Sequence, residues 1–162
     1  MIKISLAAAC ASLALIAASG PAAAQGRANL APPAGTPMAT KHLNPNTATE
    51  AQLKAVPGLT PDLVAEILKA RPFKTQGGFH KLVGAKVAAD KQPAVYAAVF
   101  VPINLNTGAS EDFALIPGMS RRMVHEFEEY RPYKDMTQFN REIGKYVDQQ
   151  EVARLASYVT LD

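Results

Sequence analysis

The chain has 162 residues, a single cysteine, no tryptophan, 19% charged residues and a formal net charge of +3. So even a balance excludes a chain that binds polyanions by bulk charge alone. With Cys10 confined to the first twenty residues, the rest of the chain offers no disulfide, thiolate nucleophile or cysteine-based metal site. Met1–Lys3 is a short positive start, 4–18 is an apolar run, and Ala22-Ala23-Ala24 precedes Gln25. This is the pattern of a signal peptide over 1–24, and it predicts export to the periplasm with Cys10 cut away. An apolar run of 15 residues is short for a retained membrane span. Residues 25–42, "QGRANLAPPAGTPMATKH", are rich in Pro, Ala and Gly without an apolar period, and read as a flexible leader. The folded part is expected to start near Leu43.

Beyond that point the sequence repeats itself. "VPGLTPDLV" at 56–64 returns as "IPGMSRRMV" at 116–124, and 43–84 laid on 103–144 without a gap gives 12 identities in 42 positions. Among them are Asn44/Asn104, Asn46/Asn106, Pro57/Pro117, Gly58/Gly118, Arg71/Arg131 and Phe79/Phe139. A period of about sixty residues divides the chain into a first half, 43–102, and a second half, 103–162. Units of that size bury a modest share of their surface alone, so the two are expected to pack as one compact all-α body.

Within each half the pattern is helical. In Thr47-Ala48-Thr49-Glu50, Thr47 and Glu50 have the spacing of a reciprocal cap, and they predict a first helix over about 48–55. In the second half Ser110 replaces that Glu and Gly108 follows Thr107, which weakens the corresponding cap. Pro57-Gly58 and Pro117-Gly118 then end one helix and turn the chain tightly, since proline lacks an amide donor and glycine accepts positive φ. Thr60 and Ser120 stand as N-caps of a second helix, with Pro61 suited to its first position. That helix carries Leu63, Val64, Ile67 and Leu68 on one stripe, mirrored by Met123, Val124 and Phe127, and stops before Pro72 or Pro132. "PFKTQGGFHKLVG" and "PYKDMTQFNREIG" each predict a loop and a short helical turn ending in glycine. The closing segments are apolar, and 94–101 is ambiguous between helix and strand, with helix the preferred reading.

Asn-x-Asn-Thr, a helix, Pro-Gly-apolar, a second helix ending in Arg and an aromatic-Lys pair together resemble the helix-hairpin-helix family, in particular the exported DNA receptors of bacterial competence. The 12 kDa extrinsic protein of photosystem II, which uses the fold for protein contacts, is a more distant likeness. The resemblance covers most of 43–84 and, more loosely, 103–144. It implies tandem helix-hairpin-helix units that bind duplex DNA without sequence preference, the hairpins presenting backbone amides to phosphate, with a role in DNA uptake. Carried onto this chain, the phosphate-binding residues are Gly58, Thr60, Gly118 and Ser120. Thr60 and Ser120 occupy the place of a second glycine in the family pattern, and Pro61 removes one amide. "LVGAKV" and "EIGKYV" are remnants of the family's second hairpin. The other use of the same fold is a periplasmic protein-interaction or scaffold module that has lost DNA.

Charge tests these alternatives independently. The first half has seven basic and four acidic residues, the second seven and ten. Arg121 and Arg122 follow the second hairpin directly, within reach of a phosphate held at the helix start. Lys69, Arg71 and Lys74 are the supporting cations of the first half, although the helix dipole favours cations there without any ligand. Glu126, Glu128 and Glu129 read as a solvated face, Asn46 and Asn106 as ties for the first helix, and the recurring Phe and Tyr residues as core. His42, His80 and His125 read as surface residues, and no metal site, cofactor site, nucleophile elbow or phosphate-binding glycine loop is expected. The expected class is a non-enzymatic binding protein.

Overall fold

A computed structural model describes residues 42–161; the proposed signal peptide and nearly all of the leader lie outside the described residues. The first half starts with a turn that its two asparagines build. Asn44 Oδ1 accepts from the Asn46 amide (2.9 Å), and the Asn44 carbonyl accepts from Thr47 (3.0 Å) and Ala48 (2.8 Å). That turn engages Thr47, so the reciprocal cap forms two residues later than its predicted place. Thr49 is extended (φ −72°, ψ 159°) and exchanges hydrogen bonds with Gln52, and helix α1 is Glu50–Lys54. Asn46 then reaches across the chain rather than to the helix: its Nδ2 donates to Phe73 O (2.9 Å) and its Oδ1 accepts from Phe73 N (2.7 Å).

Gly58, at φ 94°, turns the chain after α1, and Thr60 caps α2, Pro61–Ala70, by accepting from Leu63 N (3.3 Å). Arg71 ends α2 in extended backbone (ψ 145°), as the following proline requires, and the Arg71-Pro72 and Arg131-Pro132 bonds are both cis. The segment predicted as a short helical turn is a full helix, α3 (Gln76–Gly84), capped by Thr75. The ambiguous run resolves both ways: α4 is Gln92–Ala98, while Val99 is extended and bridges Leu43 in parallel.

The second half follows the same plan. Its first helix, α5 (Ser110–Phe113), has Ala109 at its N-cap with no side-chain hydrogen bond, which matches the weaker cap read from the sequence. Gly118 (φ 77°) turns the chain into α6 (Arg121–Glu129), capped by Ser120. Asp135 caps α7 (Met136–Ile143) and Asp148 caps α8 (Gln149–Ala156). Asn106 repeats the reach of Asn46, bonding Tyr133 O (3.0 Å) and Tyr133 N (2.7 Å). Strands β1 (Ile103–Asn104) and β2 (Val159–Thr160) pair in parallel, with Ile103 opposite Val159, the equivalents of Leu43 and Val99. The described body is therefore mostly helical with a minor two-stranded ribbon, which the all-α expectation did not include.

Apolar stripes of all eight helices meet in one core. Phe79, Phe113, Phe127 and Phe139 are fully buried there, and Phe73 and Tyr133 nearly so. In the second half Phe127 meets Phe113 and Phe139 edge to face at 5.5 and 5.0 Å, geometry that adds about 0.5–1.5 kcal/mol per pair beyond burial. Two sequence expectations change here. Glu126 is 6% exposed, with Arg122 one turn before it at 3.7 Å, so it does not belong to a solvated face. His42 is not a free surface side chain or part of a leader. Its Nδ1 donates to Ala97 O (2.8 Å), its Nε2 lies 2.7 Å from Ser157 Oγ, and its ring stacks on Tyr158 at 3.7 Å.

Candidate functional site

The two Pro-Gly turns place a bend, an N-cap and the first turn of a helix in the same arrangement. In the first, Leu59 N donates to Val56 O (3.2 Å), and in the second Met119 N donates to Ile116 O (2.9 Å). Gly58, Thr60, Gly118 and Ser120 are all exposed. Among the described residues no acceptor meets the amides of Gly58, Thr60, Gly118 or Ser120. Each turn thus leaves two amides without an internal partner close to the positive end of a helix dipole, an arrangement that suits an anion.

The chemistry around the amides differs. Pro61 supplies no amide at the start of α2, and the carboxylate of Asp62 stands exposed in its first turn. At the start of α6 the same positions hold Arg121 and Arg122, both exposed. Arg122 Nε lies 3.7 Å from Glu126 Oε1, and its guanidinium sits 5.5 Å from the Tyr146 ring centroid. No ion pair engages Arg121 among the described residues. A third cation, which sequence reasoning missed, arrives from α8. Arg154 Nη1 donates to Pro117 O (2.8 Å), and a Cβ added to Gly118 would lie 3.6 Å from its Nη2. Arg154 is itself held by both carboxylate oxygens of Glu151, at 2.7 Å each, a contact that raises its pKa, and it lies over Tyr158. Its equivalent in the first half is Ala94, and a Cβ on Gly58 would meet Val95 at 3.1 Å instead.

The remaining predicted cations lie elsewhere. Lys69 is in the last turn of α2, about 13 Å along the helix from Thr60 at 1.5 Å per residue. Arg71 turns inward: its Nη2 donates to Ala48 O (2.6 Å), and its Nε is buried without a partner. Arg131 makes the corresponding inward contacts more completely, donating to Leu105 O (2.6 Å) and Gly108 O (2.7 Å) and lying over Phe113. Lys74 is exposed on the rim of a small cleft with Gln76 and Asp112. The structure therefore gathers Gly118, Ser120, Arg121 and Arg122 in one place, leaves Gly58 and Thr60 beside an acid, and separates Lys69, Arg71 and Lys74 from both turns.

One helix start already carries an anion from within the chain. The Gly77 amide, in the first turn of α3, donates to Asp112 Oδ1 at 2.5 Å, and Asp112 is 7% exposed. A shallow groove of about 280 Å³ beside the second turn has an apolar floor of Ala114, Met119 and Val124. Among the described residues no cluster of His, Cys, Asp and Glu could hold a metal ion, and no helix is long and apolar enough to cross a membrane. His80 bonds Tyr96 (2.6 Å), and burial pushes the Tyr96 hydroxyl up to about 12; His125 lies 3.7 Å from Glu129. None of the protein-family models, curated proteins or solved structures compared with the chain matches it.

Proposed function

We propose that the chain is an exported, periplasmic, non-enzymatic protein of tandem helix-hairpin-helix units that binds duplex DNA through its phosphates, without sequence preference, in the service of DNA uptake. The observation that carries this reading is the second turn. There the exposed residues Gly118 and Ser120, whose amides have no partner among the described residues, are followed directly by the exposed Arg121 and Arg122, and the guanidinium of Arg154 reaches Pro117 O. Amides fix a phosphate oxygen in direction and guanidinium groups neutralise its charge, and neither reads a base. The first turn, with Pro61 and Asp62, plays the lesser part in this reading.

A protein-interaction role, the other use of the fold, is supported by the apolar groove beside the same turn and by the excess of acids in the second half. Fluorescence anisotropy with a labelled random-sequence duplex at two salt concentrations separates the readings. Phosphate binding through about three contacts gives a slope of log K against log salt near −2 to −3. Replacing Arg121 and Arg122 together by Gln flattens that slope by about 1 to 2. If the folded protein fails to bind at low salt, the DNA reading falls.

A further inference from the structure

The two halves meet through dissimilar faces. The first half contributes the start of α3, where Gly77 holds Asp112, one side of α4, and His42 and Phe100, which meet Ser157 and Tyr158. Gln92, Pro93 and Tyr96 on that helix, with Ala89 in the turn before it, form one wall of a cleft of about 230 Å³ at a spacing of i, i+3, i+4 and i+7. The other wall is the turn 114–119 of the second half. Shifting every partner by sixty residues does not return the contact. On α8 the equivalent positions are Gln149, Val152, Ala153 and Ala156; with Gly144 and Val147 they line an open groove of about 650 Å³ that no residue of 54–59 borders. An interface made from two different patches leaves one of each unused, and the unused pair can join separate molecules.

We infer that the protein associates head to tail, the turn 54–59 of one molecule seating in the groove between α7 and α8 of the next. The occupant is a second copy of this chain because the chain already makes this contact once, between its own halves. The turn that would enter is built like 114–119, with the same Pro-Gly bend and Ala55, Pro57 and Gly58 exposed. The groove that would receive it has the helical spacing of the α4 wall and a floor of Val147, Val152, Ala153 and Ala156.

The contact between molecules is weaker than the one within the chain. Thr137 stands in place of Gly77 and Gln52 in place of Asp112, so the amide–carboxylate bond has no counterpart, and no covalent link raises the local concentration. Nothing in this association requires DNA, and it stands or falls apart from the phosphate reading.

Sedimentation of the protein expressed from the 162-residue sequence, across a wide concentration range, is the test. The average mass is expected to rise past that of two chains. Ala153→Glu blocks the groove and Ala55→Glu blocks the turn, both at exposed positions, and each alone loses the rise. An equal mixture of the two recovers association but stops at two chains, because every pair formed carries two blocked ends. Thermal melting checks that both variants fold, and Lys54→Glu replaces Ala55→Glu should the latter not. A wild type that stays a single chain throughout, variants that associate like wild type, or a folded mixture that does not pair would each overturn the inference.

Discussion

The turn at Gly58 and the turn at Gly118 have the same bend, the same kind of capping residue and the same amides without a partner among the described residues, yet they stand in opposite electrostatic surroundings. Asp62 follows the first, and Arg121 and Arg122 follow the second, with Arg154 behind. Whole-half charge points the other way, since the first half is the basic one. The difference teaches that the two or three residues at a helix start decide what its amides can meet, because Coulomb interactions across exposed surface are screened within about 8–10 Å. Lys69 and Lys74 add to the sum for the first half without adding to the field at its turn.

The largest test of this comparison is steric. Valine at a left-handed position costs about 1–2 kcal/mol, and at Gly58 its Cβ would also press Val95 at 3.1 Å, which adds about 1–3 kcal/mol. Urea unfolding should therefore show Gly58→Val losing more than Gly118→Val, whose nearest neighbour is the movable end of Arg154 at 3.6 Å. Equal losses would mean that the two turns are packed alike. Next comes the pair of inward arginines. Arg131→Lys gives up two carbonyl contacts and the stacking on Phe113, at about 1.5–3 kcal/mol, whereas Arg71→Lys gives up one, at about 1 kcal/mol. Denaturation midpoints of the two variants check that order.

In DNA titrations the contrast should appear as function. Arg121→Gln with Arg122→Gln weakens binding roughly tenfold, about 1.4 kcal/mol, while Lys69→Gln with Lys74→Gln stays within about twofold. The reverse order would return the site to the first half. The smallest effect belongs to His42. Burial holds its pKa below 6.5, assisted by Arg154 and opposed by its bond to Ala97 O. The unfolded chain therefore takes up this proton first as pH falls through about 6.5, so this group's contribution is intact above about pH 7 and declines below it. Unfolding free energies at about pH 7.5 and 5.5 should differ less in His42→Asn than in wild type; an unchanged difference would assign the acid sensitivity elsewhere.

Local signals carried most of the secondary structure. Pro-Gly, the Thr60 and Ser120 caps, the stop before proline and the apolar stripes each act within a few residues, and all lie where the sequence placed them. The first cap was misplaced by two residues: the Asn44 turn engages Thr47, and Thr49 with Gln52 caps α1 instead. The candidate site was half legible, since Gly118, Ser120, Arg121 and Arg122 adjoin in sequence. Arg154 lies 37 residues from Pro117, Asp112 lies 35 from Gly77, and His42 lies 115 from Ser157. No periodicity reports contacts at such separations, and the parallel pairing of Leu43 with Val99 and Ile103 with Val159 was hidden for the same reason.

The fastening at His42 and Leu43 has a mechanical consequence. A pull delivered through the residues before His42 loads Leu43 along its strand, where the Leu43 amide bonds Ala98 O and its carbonyl accepts from Phe100 N, both at 2.9 Å. It also loads the imidazole, gripped by Ala97 on one nitrogen and Ser157 on the other. Force arriving at this end is shared at once between α4 of the first half and the close of α8 in the second, so the body resists as one piece rather than peeling from its first helix.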